Sequence, residues 1–528
     1  MNGAVGTAGT SLRRSPIMAL GFFLFVILVA YQTSQYIIND DVPGLAYVAL
    51  AFIGAVVAIA ILNNWRNGIY FFLVWLLFED FARKFLGNNM AIFFAKDALA
   101  LLVYLSFFIA YRQKTVETFK VPFRIPLLLL LWFGAIQIFN PASPSIFYGL
   151  LGMKLYFYYV PLLFIGFALF RSEKDLRRFF FLNLIVALVI LSLGIAQSIL
   201  GHTFLNPQVI NEDIRELSSN YRVAPISGTI VYRPNSVFVS TGRYTNFILL
   251  MWVLSLGFSG YLLLRHKRGR ALAFVALAFT AAGGALTASR SAFMLLPING
   301  IVTSAAFLWG APWRRGEVMR VLRGIQRVVL GMVVAGVALL ALFPDAILGR
   351  VAVYSETLLP SSSATQLGER TWNYPFGNFI GAFYYERWPY GYGIGTASLG
   401  VQYVARFFHT KAPTAGTESG FGTLVVEMGI VGLLLWIILA TSICVSAWKI
   451  TRKLKGTPWF PLAFVITWYA FLLLFAEMYL GIQPYQDFVL NAYLWLSLGI
   501  LFRLPSLALS SQFAIDATPA QTSRPGMR

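Results

Sequence analysis

Apolar runs of about 17–25 residues recur from one end of this 528-residue chain to the other, the length needed to cross ~30 Å of hydrocarbon. Backbone groups in lipid have no water to pair with, so each run must be helical. Spans are expected at roughly 17–38, 45–62, 69–86, 93–111, 124–139, 148–170, 179–200, 245–264, 271–288, 291–309, 327–344, 419–447, 459–479 and 486–502. The fold class that follows is all-α: a polytopic transmembrane bundle of about 12–14 spans. Composition excludes a soluble alternative. Hydrophobic residues make up 58% of the chain and charged residues 12%, against about 45–50% and about 25% in soluble domains. The third run ends in Glu79, Asp80, Arg83 and Lys84, too charged for mid-bilayer, and is expected to be a partial or re-entrant helix.

A net charge of +20 raises nucleic acid as a partner, but the basic residues cluster in short loops between apolar runs. That is the pattern of cytoplasmic loops under the positive-inside rule. With the N-terminus inside, the inner loops hold groups such as Arg171, Lys174, Arg177 and Arg178, and Lys449, Arg452, Lys453 and Lys455. The organisation then reads as follows: 1–16 a cytoplasmic N-terminus, 17–200 N-terminal helices, 201–244 an outer loop, 245–344 central helices, 345–418 a large outer loop capping the site, 419–502 C-terminal helices, and 503–528 a disordered cytoplasmic tail. The first run follows Arg13 and Arg14 without a small-residue cleavage site and is read as a retained helix. No repeat of fixed period stands out, which weighs against a transporter built from two similar halves.

One cysteine, Cys444, excludes an internal disulfide and a cysteine-based metal cluster. Three histidines, His202, His266 and His409, make a multi-histidine metal site improbable. No metal or other cofactor is expected.

The outer segments break the charge rule. They hold Arg215, Arg222, Arg233, Arg243, Arg350, Arg370, Arg387, Arg406 and Lys411, and Arg290 lies at the outer end of the hairpin Leu286–Ser291. Arginine near membrane depth is costly and requires a partner, and its planar guanidinium can grip a phosphate through two donors. The candidate is an outward-facing site for an anionic, phosphate-bearing substrate. The competing explanation is pairing with Glu212, Asp213, Glu216, Glu356, Glu369 or Glu386, or with lipid headgroups. Arg233-Pro234-Asn235-Ser236 leads directly into an apolar helix and so lies at the interface.

Glu418 opens the helix that follows the second outer segment and is a candidate general base, as is His409 nearby. Glu427, about 13 Å further along that helix, more plausibly anchors a neighbouring helix. Gly391-Tyr392-Gly393-Ile394-Gly395 lacks the strand before it and the Lys-Ser/Thr after it that a phosphate loop needs; it reads as a tight turn.

Taken in order, Arg233–Phe238, Thr287–Phe293, Arg370 with Trp372, Pro389–Gly395 and Glu418–Gly432 resemble the O-antigen ligase and O-antigen polymerase membrane proteins, a family that includes protein O-oligosaccharyltransferases. Glu79–Arg83 and Phe93–Asp97 share the likeness, which spans roughly residues 70–440. The resemblance implies a multi-pass protein of the bacterial inner membrane with both termini cytoplasmic. It implies a periplasmic, metal-independent transfer of a glycan from undecaprenyl pyrophosphate to a glycan or lipid acceptor hydroxyl. Membrane lipids and chain-length or assembly proteins are the other implied partners; nucleic acid is not. It implies that Arg233 and Arg290 bind the pyrophosphate, and Arg370 and Arg243, from the outer-segment arginines, are expected to join them. The histidine that commonly precedes the Glu-x-Gly helix is replaced here by Glu418-Ser419, a departure that leans towards polymerase over ligase.

Two other readings remain. A transporter or flippase for a lipid-linked or anionic solute should carry charge inside its spans facing a central cavity; Lys154 is its clearest candidate. A metal-dependent glycosyltransferase could use Asp40-Asp41, which more simply form an acidic turn before Pro43-Gly44.

Overall fold

The structure is a computed structural model. It describes residues 42–86, 90–207, 220–266, 268–313, 340–358, 372–481 and 484–516, with isolated positions between. Most of the expected spans at 17–38 and 327–344, the acidic pair Asp40-Asp41, and Arg370 lie outside the described residues.

Helices α1 (Val42–Asn63), α2 (Trp65–Phe85), α3 (Met90–Arg112), α4 (Arg124–Gln137), α5 (Ile146–Phe157), α6 (Leu162–Leu169) and α7 (Glu173–Leu200) come first. A short hairpin follows, β1 (Tyr221–Val223) antiparallel to β2 (Ile230–Tyr232) with Tyr221 opposite Tyr232. Then come α8 (Thr241–Arg265), α9 (Arg270–Leu286), α10 (Arg290–Gly310), α11 (Pro344–Leu358), α12 (Tyr374–Gly381), α13 (Val401–Phe407), α14 (Gly420–Lys453), α15 (Phe460–Phe471), α16 (Glu477–Leu480) and α17 (Phe488–Asp516).

Among the described residues, 8 helical stretches are long and apolar enough to cross a membrane, and three shorter apolar helices accompany them. The protein is thus a polytopic α-helical bundle, as its composition requires. The stretches Thr241–Arg265, Phe460–Leu480 and Phe488–Leu509 are the most enclosed and form its centre. Small residues bring the axes together: a Cβ on Gly166 would sit 2.2 Å from the Leu496 carbonyl oxygen, and one on Gly499 2.2 Å from that of Leu163. The pair α6 and α17 therefore meets backbone to backbone, as membrane helices do where small residues face each other.

Local capping sets several boundaries. Ser172 and Asp175 form a reciprocal capping box at the start of α7, and the Ser240 and Ser419 hydroxyls accept from Arg243 N and Gly422 N at the starts of α8 and α14. Three expectations change. The charged third run is one continuous 21-residue helix, α2, because its ionic residues turn inward and pair. The first outer segment is organised by the β-hairpin. The last helix runs through Pro505 to Asp516, past the expected start of the tail.

Helix α14 is broken at Gly429, whose φ of 69° takes it out of the helical region. The break frees carbonyls that the next turn would have used. Tyr392 N donates to Val426 O at 2.8 Å and Gly393 N to Glu427 O at 2.9 Å, while Ile430 N donates to Pro389 O at 3.3 Å. The glycine-rich turn is thus seated in the break, and a Cβ on Gly391 would lie 2.4 Å from Glu427 O.

Candidate functional site: a cation-lined cavity between helices

Helix α2 presents Glu79, Asp80 and Arg83 on one face, the i, i+3 and i+4 spacing that lets side chains meet. Arg83 lies 3.6 Å from Glu79 and 3.2 Å from Asp80, and Lys96 of α3 lies 3.6 Å from Glu79. Arg243, in the first turn of α8, donates to both oxygens of Asp80 at 2.9 and 2.8 Å. Asp80 also accepts from Val239 N at 3.3 Å. Lys154 of α5 reaches Asp97 of α3 at 2.5 Å.

These cations sit on aromatic faces. Lys96 Nζ is 3.4 Å from the Phe93 ring centroid and 4.6 Å from that of Phe488; Arg243 is 4.2 Å from Phe488. Lys154 is 5.0 Å from both Phe93 and Phe94. Cation and ring quadrupole attract, more strongly when desolvated.

Together these groups face a cavity of about 720 Å³. Among the described residues its wall carries Arg83, Lys96, Lys154 and Arg243 with one carboxylate, Asp487, and the rest is mainly apolar, including Phe94, Leu150, Leu155 and Phe407. Glu79 and Asp80 stand behind the wall, where they hold the cations in place. Asp487 caps α17, accepting from Val489 N at 2.9 Å and Leu490 N at 3.2 Å. A surface of this kind suits an amphiphile with a long apolar part and an anionic head, and fixed cations in a dry pocket stabilise negative charge far better than in water.

The far wall is set by Glu427, which is fully buried. It accepts from Tyr156 OH at 3.0 Å, Ser398 OH at 2.6 Å and Ala397 N at 3.1 Å. Gln486 continues the chain, donating to Ser398 at 2.9 Å and accepting from Leu399 N at 2.9 Å. Glu427 therefore ties α5 and α14 to the segment that lines the cavity.

Ser236 separates the sequence-expected arginines into two places. It has a φ of 50°, and Lys84, fully buried, donates to its carbonyl at 2.6 Å. Gln197 accepts from the amides of Asn235 and Ser236 at 2.9 and 2.7 Å. On one side of this pinned turn Arg243 enters the cavity. On the other, Arg233 joins a lobe around Tyr354, beside Arg222 and Arg350. Arg350 donates to the carbonyls of Leu286, Ser198 and Tyr232 at 2.7, 3.2 and 3.2 Å, and Arg222 to that of Ala288 at 3.4 Å. Burial lowers the Arg350 guanidinium to about 10 and also lowers that of Arg233, with Tyr354 opposing both. Arg290 opens α10 in the same lobe, one turn before Phe293, whose ring stacks on Tyr354 at 4.6 Å. Arg233 and Arg290 do not line the cavity.

Glu418 and His409 do not line it either. Both are exposed. His409, with φ 51°, directly follows Phe408, a wall residue stacked on Phe147 at 3.7 Å. Tyr148 OH holds the next two residues, at 2.9 Å from Thr410 and 3.0 Å from the Lys411 carbonyl. Glu418 N donates to Asn378 Oδ1 at 3.4 Å, at the rim of a different groove. Sequence reasoning missed Arg83, Lys96 and Asp487 as wall residues; the signal present was the row of charges in and after an otherwise apolar run. Among the described residues, no group of three or more histidines, cysteines or carboxylates is placed to hold a metal.

Fold and cavity define the class: a multi-pass α-helical membrane protein with a charged, aromatic-floored cavity among its helices. Comparison with protein-family models, with curated proteins and with solved structures finds no match.

Proposed function

We propose that the protein transfers a glycan from a lipid pyrophosphate, undecaprenyl pyrophosphate in the bacterial inner membrane, to an acceptor hydroxyl on the outer face. The family resemblance to O-antigen polymerases and ligases supports this reading. The observation that carries it is the cavity wall itself: Arg83, Lys96, Lys154 and Arg243 beside an apolar surface open to a long chain. In the reaction the acceptor oxygen bonds to the anomeric carbon, and the bond from that carbon to the pyrophosphate oxygen breaks. The electron pair leaves on the phosphate, where the cations receive the growing charge. The hydroxyl proton passes to a base; Asp487 is the carboxylate of this wall, and Glu418 and His409 are the alternatives.

The test uses purified protein in nanodiscs with an undecaprenyl-pyrophosphate oligosaccharide. Longer or transferred glycan and free undecaprenyl pyrophosphate are expected, persisting in EDTA and falling ~100-fold or more in Arg243→Ala, as for loss of one charge-stabilising group. Absence of any new glycosidic bond sinks the proposal.

A second reading is favoured by the same wall. Charge inside the helices facing a central cavity is what a flippase for a lipid-linked anion requires, and Lys96 and Lys154 meet that description. Movement of a fluorescent lipid pyrophosphate between leaflets of proteoliposomes, without glycan transfer, is the outcome that would select it.

A further inference from the structure

A second concavity, of about 460 Å³, lies where α12 crosses the ends of α14 and α16. Its volume falls within the ~300–1,000 Å³ of small-ligand clefts. Its floor is glycine: Gly377, Gly381 and Gly416 line it, and a Cβ built on any of the three meets nothing within 4 Å. Its walls are amides, a hydroxyl and tyrosines: Asn373, Asn378, Thr417, Tyr374, Tyr384 and Tyr385. Among the described residues, no charged side chain lines it.

The walls are held from behind. Tyr385 OH donates to the Gly416 carbonyl at 2.7 Å and accepts from Gly416 N at 3.1 Å. Thr417 donates to the Asn378 carbonyl at 2.8 Å, and Asn378 donates to that of Tyr374 at 2.9 Å. These bonds fix the wall while leaving Asn378 a second N–H and Thr417 its oxygen lone pairs for a ligand. Tyr384, in contrast, is 84% exposed, a large ring with no protein surface over it.

We infer that this groove binds a neutral oligosaccharide, and on the reading of the protein as a glycan transferase it is the subsite for a sugar chain beyond the reacting residue. A sugar ring has a face of C–H groups and an edge of hydroxyls. The electron-rich face of tyrosine attracts polarised C–H groups, and amides and hydroxyls pair with sugar hydroxyls in both senses. The bare glycine floor lets a flat ring approach the backbone. The described lining offers an anionic headgroup no cation, and a hydrocarbon chain in the groove would leave its amides and hydroxyls unpaired. Glu418 stands at the rim of this groove, which places the acid beside the sugar chain.

The test is saturation-transfer NMR on the protein in nanodiscs, without lipid pyrophosphate, against cellohexaose, isomaltohexaose and chitohexaose. Saturation of protein aromatic protons reaches the sugar protons of at least one of them. Tyr384→Ala and Gly381→Leu each weaken that binding about fivefold or more, equivalent to ~1 kcal/mol. Gly381 has helical φ and open space at its Cβ, so Gly381→Ala, with wild-type melting, controls for folding. No transfer to any of the three sugars, or transfer unchanged in both variants, overturns the inference. The probes carry no phosphate, so unchanged glycan transfer in Arg243→Ala with intact oligosaccharide binding counts against the donor cavity alone.

Discussion

Arg243 and Asp80 stand 163 residues apart in the chain and meet through one guanidinium nitrogen that donates to both carboxylate oxygens. The pair fixes where a cation faces the cavity. It also carries a stability consequence, because Asp80 is buried.

Breaking such a pair by removing one member leaves a buried charge and costs about 3 kcal/mol. Arg243→Ala and Asp80→Asn are each expected to lower the melting temperature in detergent. The double variant is expected to lose much less than the sum, because neither charge is then stranded. Additive losses would show that the contact does not couple the two groups.

Glu427 distinguishes an acceptor from a filler. Glu427→Gln keeps an oxygen for Ala397 N and Ser398 and is expected to melt close to wild type. Glu427→Leu leaves Tyr156, Ser398 and Ala397 N buried without it, at ~1–3 kcal/mol for each orphaned group. Limited proteolysis read by mass spectrometry should then cut between Tyr384 and Gly400 in the leucine variant alone. Equal cleavage in both variants would remove Glu427 as the tie.

Glu356 makes the hairpin pH-sensitive. Hydrogen bonds from Ser227, through its side chain and its amide, and from the Ile226 amide hold the carboxyl below its ordinary range. The amide contacts are 3.0 Å from Ser227 and 2.7 Å from Ile226. A depressed carboxyl contributes fully above its unfolded value of ~4.3 and loses that contribution as pH falls through the lower folded one. Protection of the Ile226 and Ser227 amides from hydrogen exchange should therefore persist at pH ~6 and drop below pH ~4. In Glu356→Gln it should not vary with pH over that range.

The membrane helices were legible because hydropathy is a local property, and local runs of the right length admit one structure in lipid. Helix α2 was misjudged for the converse reason. Hydropathy counts Glu79, Asp80, Arg83 and Lys84 as charges, and only the fold reveals that they face Lys96, Arg243 and the Ser236 carbonyl. The site was partly legible: Arg243 was named, and Lys154 was named for a different function. Arg233 and Arg290 lie outside the cavity that Arg243 lines, and the turn between Arg233 and Arg243 passes through Ser236, whose left-handed backbone conformation no residue pattern announced. That single turn sends Arg233 and Arg243 to different lobes. The second groove was invisible, since its defining feature is space above Gly377, Gly381 and Gly416, and empty space leaves no mark in a sequence.

The break in α14 at Gly429 has a mechanical meaning. Because Tyr392 and Gly393 are bonded to the carbonyls the broken helix releases, the extramembrane segment and the membrane helix are riveted at that point rather than hinged. Straightening the helix would strand polar groups on both partners at once. The wall segment that runs on from this seam to Phe408 is accordingly clamped at both ends, by the broken helix at Gly393 and by the Phe147 ring at Phe408.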